Sequence, residues 1–180
     1  LYTTYRFGWG VGTVGLWMAA GGICGMIVSG TLVQPIVSRF GERRVLLGAL
    51  TCGAAAFATY GLAANGWVYA IGVPLQALWG LSGPALQGLM TRGVAPSQQG
   101  QLQGAQSSMA GIAGMMGPGL FTQTFATAID PRYGWHVPGA PFLLAASMLV
   151  VAVAVAERVT RPSRPGQASA VRKVTTTGSS

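Results

Sequence analysis

Charge is what this chain has least of. Only 8% of its 180 residues are Asp, Glu, Lys or Arg, where a soluble domain carries about 25%. The acids number three, Glu42, Asp130 and Glu157, and no serine, cysteine or lysine has a base partner beside it. That leaves no catalytic constellation and argues against an enzyme. The single histidine, His136, has no second ligand nearby, so the pattern does not support a metal site. Cysteine is scarce too. Cys24 and Cys52 fall inside apolar stretches with no CxxC or Cys/His cluster, and read as small core residues rather than a disulfide or a metal site. The polar, glycine-containing turn at residues 98–104 lacks the lysine and acidic partner of a phosphate-binding loop, and no cofactor is expected. A signal peptide is also lacking. The chain begins on Leu1 rather than Met and opens on an aromatic and polar run over residues 2–9, so it is expected to be a fragment missing its N-terminal part, or a trimmed chain. The eleven Lys and Arg leave a net charge of +8. They are scattered through turns and a tail with no basic groove, which excludes a nucleic-acid partner.

What is abundant is apolar sequence: 51% of residues are hydrophobic and 28 are glycine. The apolar residues gather into five stretches, over residues 11–37, 45–64, 68–90, 104–129 and 138–156. A helix of about 20 residues crosses the roughly 30 Å hydrocarbon core of a bilayer, and a helix satisfies its own backbone where lipid offers no partners. The expectation is therefore an all-α membrane protein, a bundle of about five transmembrane helices over residues 1–158, with the bilayer as its first partner. Glycine would weaken these helices in water, but in lipid it lets neighbouring helices approach closely. Trp9 and Trp17 flank the first stretch and Trp67 and Tyr69 open the third, where interfacial aromatics are favoured. Residues 159–180 are rich in Ser, Thr, Pro, Gly, Arg and Lys, cannot bury a core, and are expected to be a disordered tail.

The cations also orient the chain. Threading five spans puts Arg39, Arg43, Arg44, Arg92, Arg158, Arg161, Arg164, Arg172 and Lys173 on one side and Arg6 and Arg132 on the other. The richer side should be cytoplasmic, together with the C-terminus. None of the five stretches contains an ionisable acid or base, so the segment has no visible proton relay.

Several motifs carry a family resemblance. They are Tyr5-Arg6-Phe7-Gly8-Trp9 followed by Val14-Gly15-Leu16; Arg39-Phe40-Gly41-Glu42-Arg43-Arg44 leading into Leu46-Leu47-Gly48; Pro84-Ala85-Leu86-Gln87 with Met90; Gln99-Gly100-Gln101-Leu102-Gln103-Gly104; and Gly117-Pro118-Gly119-Leu120-Phe121. In this order and spacing, over nearly the whole chain, the sequence resembles the C-terminal half of major facilitator superfamily transporters of the tetracycline-resistance type, which are drug:proton antiporters. The resemblance implies that the spans are helices 8–12 of a twelve-helix fold, with residues 1–5 as the end of helix seven. It further implies a monomeric secondary transporter in a bacterial inner membrane, exchanging a small amphipathic drug for protons by alternating access, with an N-terminal six-helix half as its partner. The sequence departs from tetracycline exporters at their helix-nine aspartate, whose counterpart here is Cys52 or Gly53, and at a late helix-eight glutamine, whose counterpart is Ser29. The drug is therefore left open. A metabolite transporter for a sugar or organic acid and a truncated, non-transporting membrane fragment are the alternatives.

Particular residues then take expected roles. The Arg39, Gly41, Glu42, Arg43, Arg44 turn is a latch at the cytoplasmic gate or a simple charge anchor. Pro84 removes a backbone hydrogen bond mid-span and should break the helix, as should Gly117-Pro118. Such breaks mark binding or bending regions in transporters. Substrate contacts are expected at Ser29, which continues the Gly21/Gly25 face, at Gln76 or Gln87, whose amides can hydrogen-bond a drug without a charge penalty, and at Met115. Met109, Met115 and Met116 equally suit a core.

Overall fold

The computed structural model describes residues 3–4, 8–63, 65–130 and 137–161. Arg6, Arg132, Trp135, His136 and the tail beyond Arg161 lie outside the described residues. Among those described there is no strand. Helix α1 (Val11–Phe40) is 30 residues long. It is interrupted by a π-helical turn at Val28–Leu32, beside which the Thr31 hydroxyl donates to the Ile27 carbonyl at 2.6 Å.

The turn to α2 (Glu42–Leu62) is a single residue, where seven residues of turn were expected. Gly41 has φ +79° and ψ 151°, a region open essentially to glycine alone. Its N–H closes α1 on the Val37 carbonyl at 2.9 Å, and its own carbonyl accepts from Val45 N–H at 3.1 Å. Hydropathy ends a span at the first charge, but arginine is a good helix former, so both helices run into the turn. The arginines thereby sit on helix ends rather than on a loop.

Asn65 caps α3 (Gly66–Trp79), its side chain accepting from Val68 N–H at 3.0 Å. The third stretch is then broken, as the proline suggested, one turn before it. Pro84 cannot donate to the Gly80 carbonyl, and its ring crowds that carbonyl. The chain tightens there into i→i−3 bonds, Gly80 N–H to Ala77 O and Leu81 N–H to Leu78 O, each 3.1 Å. Helix α4 (Ser82–Arg92) begins beyond the tightened turn. The break expected at Gly117-Pro118 is absent: α5 (Gln99–Ile129) runs 31 residues through Pro118. Pro118 removes one backbone hydrogen bond without ending the helix, as Pro74 does inside α3. Helix α5 also starts five residues before its apolar stretch, because the glutamines and leucine of residues 99–103 favour helix whatever their polarity. Helix α6 (Ala140–Val159) closes the described chain.

Of these, α1, α2 and α6 are each long and apolar enough to cross a membrane. The third stretch falls short because the break divides it into 14 and 11 residues. Helix α5 is diluted along its length by glycine, threonine and glutamine. Helix α2 is the hub. It packs on α6, α3 and α4 and buries Val45, Leu46, Ala49, Gly53, Ala54, Ala56 and Tyr60. A core cluster joins its Val45, Leu46 and Ala49 to Val28, Ala77, Leu81 and Ala85. Small residues set the spacing: a Cβ on Gly139 would overlap the Gly61 backbone, so α2 and α6 cross in near contact there.

Candidate functional site

The bundle has two chemically different ends. At the end where α2 finishes and α3 and α6 begin, a cavity of about 600 Å³ opens between α1 and α3. Val14, Met18, Gly21 and Gly25 share one face of α1, and Tyr69, Val73, Gln76 and Gly80 share one face of α3, each set at helical spacing. Tyr60 from α2 and Phe142 from α6 close it, and Trp9 and Trp17 border it. Among the described residues no Asp, Glu, Lys, Arg or His lines it.

Aromatic contacts build this wall. Trp9 stacks on Trp17 with centroids 5.8 Å apart and meets Tyr69 edge-on at 5.7 Å. Tyr69 lies 4.4 Å from Tyr60, which meets Phe142 at 5.8 Å. Tyr60 fits because residue 72 is glycine: any Cβ there would overlap its ring. Its hydroxyl donates to Gln76 Oε1 at 2.7 Å, so the phenol has a partner at the cavity, where Gln76 stays exposed. A hydrogen bond of this kind contributes about 1 kcal/mol. Flat aromatic faces beside one fixed hydrogen-bonding pair suit an uncharged or cationic ring system, held by stacking and cation–π attraction.

The other end is ionic. Glu42 Oε1 and Arg92 Nη2 are 3.0 Å apart, joining the start of α2 to the end of α4. The Glu42 side chain is only 11% exposed because it lies against Gly88. A Cβ at 88 would stand 2.6 Å from its Oε1. Arg43 Nε donates to Thr160 Oγ1 at 3.1 Å, joining the start of α2 to the end of α6. Glu157 pairs with Arg161 one turn away at 3.2 Å. The guanidinium of Arg39 lies 5.8 Å over the Phe40 ring. Thus Glu42 pairs with a distant helix end rather than with the arginines of its own turn.

The expected substrate residues do not come together. Gln76 lines the cavity. Ser29 sits exposed in the π-helical turn, outside the cavity lining. Gln87 is half-buried on α4, where its carbonyl accepts from the Thr91 hydroxyl at 2.9 Å. Met115 is 83% exposed on α5. Gly53, a counterpart of the exporters' helix-nine aspartate, is buried under Trp79, whose Cδ1 is 2.6 Å from where a Cβ would be. Tyr60 and Thr160 carried no expected role in the sequence, and Arg92 only that of an orienting charge. A signal for the first was there: a tyrosine deep in an apolar stretch needs a partner for its hydroxyl. The cation count put Arg92 on the same side as the turn that holds Glu42, although nothing in the sequence paired them.

These features define a class first, a polytopic α-helical membrane protein with an aromatic cavity and an ionic opposite end. The chain belongs to the Major Facilitator Superfamily, whose family model matches residues 1–178. It is similar to the class G tetracycline resistance protein of Vibrio anguillarum, 33% identical over 135 residues that cover 75% of this chain and 34% of that protein. It is also similar to the class C tetracycline resistance protein of Escherichia coli, 29% identical over 141 residues, 77% of this chain and 36% of that protein. Hippocampus abundant transcript-like protein 1 of Rattus norvegicus is 24% identical over 170 residues, 87% of this chain and 34% of that protein. The chain thus spans about a third of the length of the curated relatives it matches. No solved structure matches it.

Proposed function

We propose that this chain is part of a secondary active transporter that exports a small amphipathic drug in exchange for protons by alternating access, and that it is not an enzyme. The observation that carries this reading is the cavity between α1 and α3, with aromatic walls, the Tyr60–Gln76 pair and, among the described residues, no charged group in its lining. Such a surface suits a planar amphipathic molecule and is poor for an organic acid, which would call for a cation. Gln76 is the contact we favour among the expected ones, with Ser29, Gln87 and Met115 reached from other faces. Glu42, Asp130 and Glu157 all stand at helix ends, so the proton-carrying carboxylates belong to a second, six-helix half. The Arg39–Arg44 region acts as a latch, through Glu42–Arg92 and Arg43–Thr160, made in one access state and released in the other. The spans over residues 11–37, 45–64, 68–90, 104–129 and 138–156 lie in a bacterial inner membrane as helices 8–12 of a monomer, with the C-terminus cytoplasmic as the arginine count supports.

The test is accumulation of a fluorescent planar cation, ethidium, and of tetracycline in cells expressing the intact protein. Export of at least one, lost when the proton gradient is collapsed and weakened by Gln76→Ala, is expected. Accumulation equal to that of cells without the protein for both compounds would remove the drug reading.

A further inference from the structure

A second groove lies at the ionic end, on the outer side of the α1–α2 turn. Its volume is about 210 Å³. Ile36 and Phe40 of α1 form one wall, one helical turn apart. Arg44, Gly48 and Cys52 of α2 form the other, each four residues after the last. Leu81, at the break after α3, closes the inner end. The lining is apolar except at its mouth, where Arg44 stands. From Arg44 to Cys52 is eight residues, about 12 Å along a helix axis, so the groove runs from a cation at the membrane boundary into the hydrocarbon region. Gly48 keeps it open, since nothing lies within 4 Å of where a Cβ would be.

The charges at this end are divided. Glu42 is taken by Arg92, and Arg43 by Thr160. Among the described residues Arg44 has no hydrogen-bond or ion-pair partner, and Arg39 has only the Phe40 ring. Both are exposed. Two uncompensated guanidiniums thus stand at the head of a narrow apolar slot on two helices long and apolar enough to span a bilayer.

We propose that this groove seats one acyl chain of an anionic phospholipid, with its phosphate held by Arg44 and with Arg39 alongside. A guanidinium matches phosphate through paired N–H donors. An anionic headgroup gains attraction from both arginines, whereas a zwitterionic one brings its own cation to them. Helix-flanking basic sites on the cytoplasmic side favour anionic headgroups by about 1 kcal/mol per arginine, close to a fivefold preference. The proposal rests on the membrane-spanning fold and not on drug export, so either can fail without the other.

The experiment is native mass spectrometry of the intact protein in detergent with equal amounts of palmitoyl-oleoyl phosphatidylglycerol and phosphatidylcholine. The phosphatidylglycerol adduct should be retained about 25-fold over the phosphatidylcholine adduct, roughly fivefold for each arginine. Arg44→Gln should lower that preference about fivefold, Arg44→Lys should keep most of it, and Gly48→Leu, which fills the slot without touching the charge, should lower retention of both lipids. Arg44 and Gly48 are exposed, so all three variants should remain folded. A preference unchanged in Arg44→Gln, or dihexanoyl phosphatidylglycerol retained as well as the long-chain lipid, would overturn the proposal.

Discussion

The two ends of this bundle use the same helices in opposite ways. At the aromatic end α2 meets its neighbours through rings and glycines, with Tyr60 over Gly72 and Gly61 against Gly139. At the ionic end it meets them through side chains that reach, Glu42 to Arg92 and Arg43 to Thr160. Ring packing over glycine is rigid: one added methyl has nowhere to go. A carboxylate reaching past a glycine is adjustable, because the far end of a flexible side chain can swing. A transporter needs both, a shaped surface for its cargo and contacts that are made and broken cheaply as access alternates.

The largest test of this contrast is functional. If neither end holds a proton carrier, residues 1–180 alone in proteoliposomes should show no proton-driven drug uptake, and uptake above protein-free vesicles would end the division drawn here. Gly72→Val at the rigid end should come next. It forces the Tyr60 ring out of place and should cost about 2 kcal/mol by overpacking, read as a lower thermal midpoint in detergent. A midpoint within a degree of wild type would show that end to be as adjustable as the other. Tyr60→Phe should cost about 1 kcal/mol by losing the hydrogen bond to Gln76, with no dependence on salt. At the ionic end, Glu42→Gln should cost less than about 1 kcal/mol, since Arg92 is 77% exposed. Its effect should shrink between 0.1 and 1 M salt, where roughly 10 Å of Debye screening falls to about 3 Å. Gly88→Ala should be the mildest change, displacing only the Glu42 carboxylate. A Gly88→Ala cost exceeding that of Gly72→Val would reverse the comparison.

The sequence was a good guide wherever one physical term dominated. Apolar length and missing charge gave an all-α membrane fold, and the Pro84 break follows from a bond that proline cannot make. It misled where two terms competed. Hydropathy stopped the helices at the arginines, whereas helix propensity carries them to Gly41. Pro118 looked like a second Pro84, yet α5 absorbs it. The glutamines were legible as polar groups in apolar runs, but only one of them, Gln76, lines the cavity, because rotation about a helix axis is fixed by its neighbours and not by its own residues.

By itself the sequence determined that this chain folds as membrane-spanning helices, because the cost of burying charge and unpaired backbone in hydrocarbon is local and large. Tertiary structure alone decided which groups meet: Tyr60 with Gln76, Glu42 with Arg92, Arg43 with Thr160. Those pairings span 16 to 117 positions in the chain. They depend on the angle and distance at which glycine and alanine surfaces let the helices cross, which no single segment encodes.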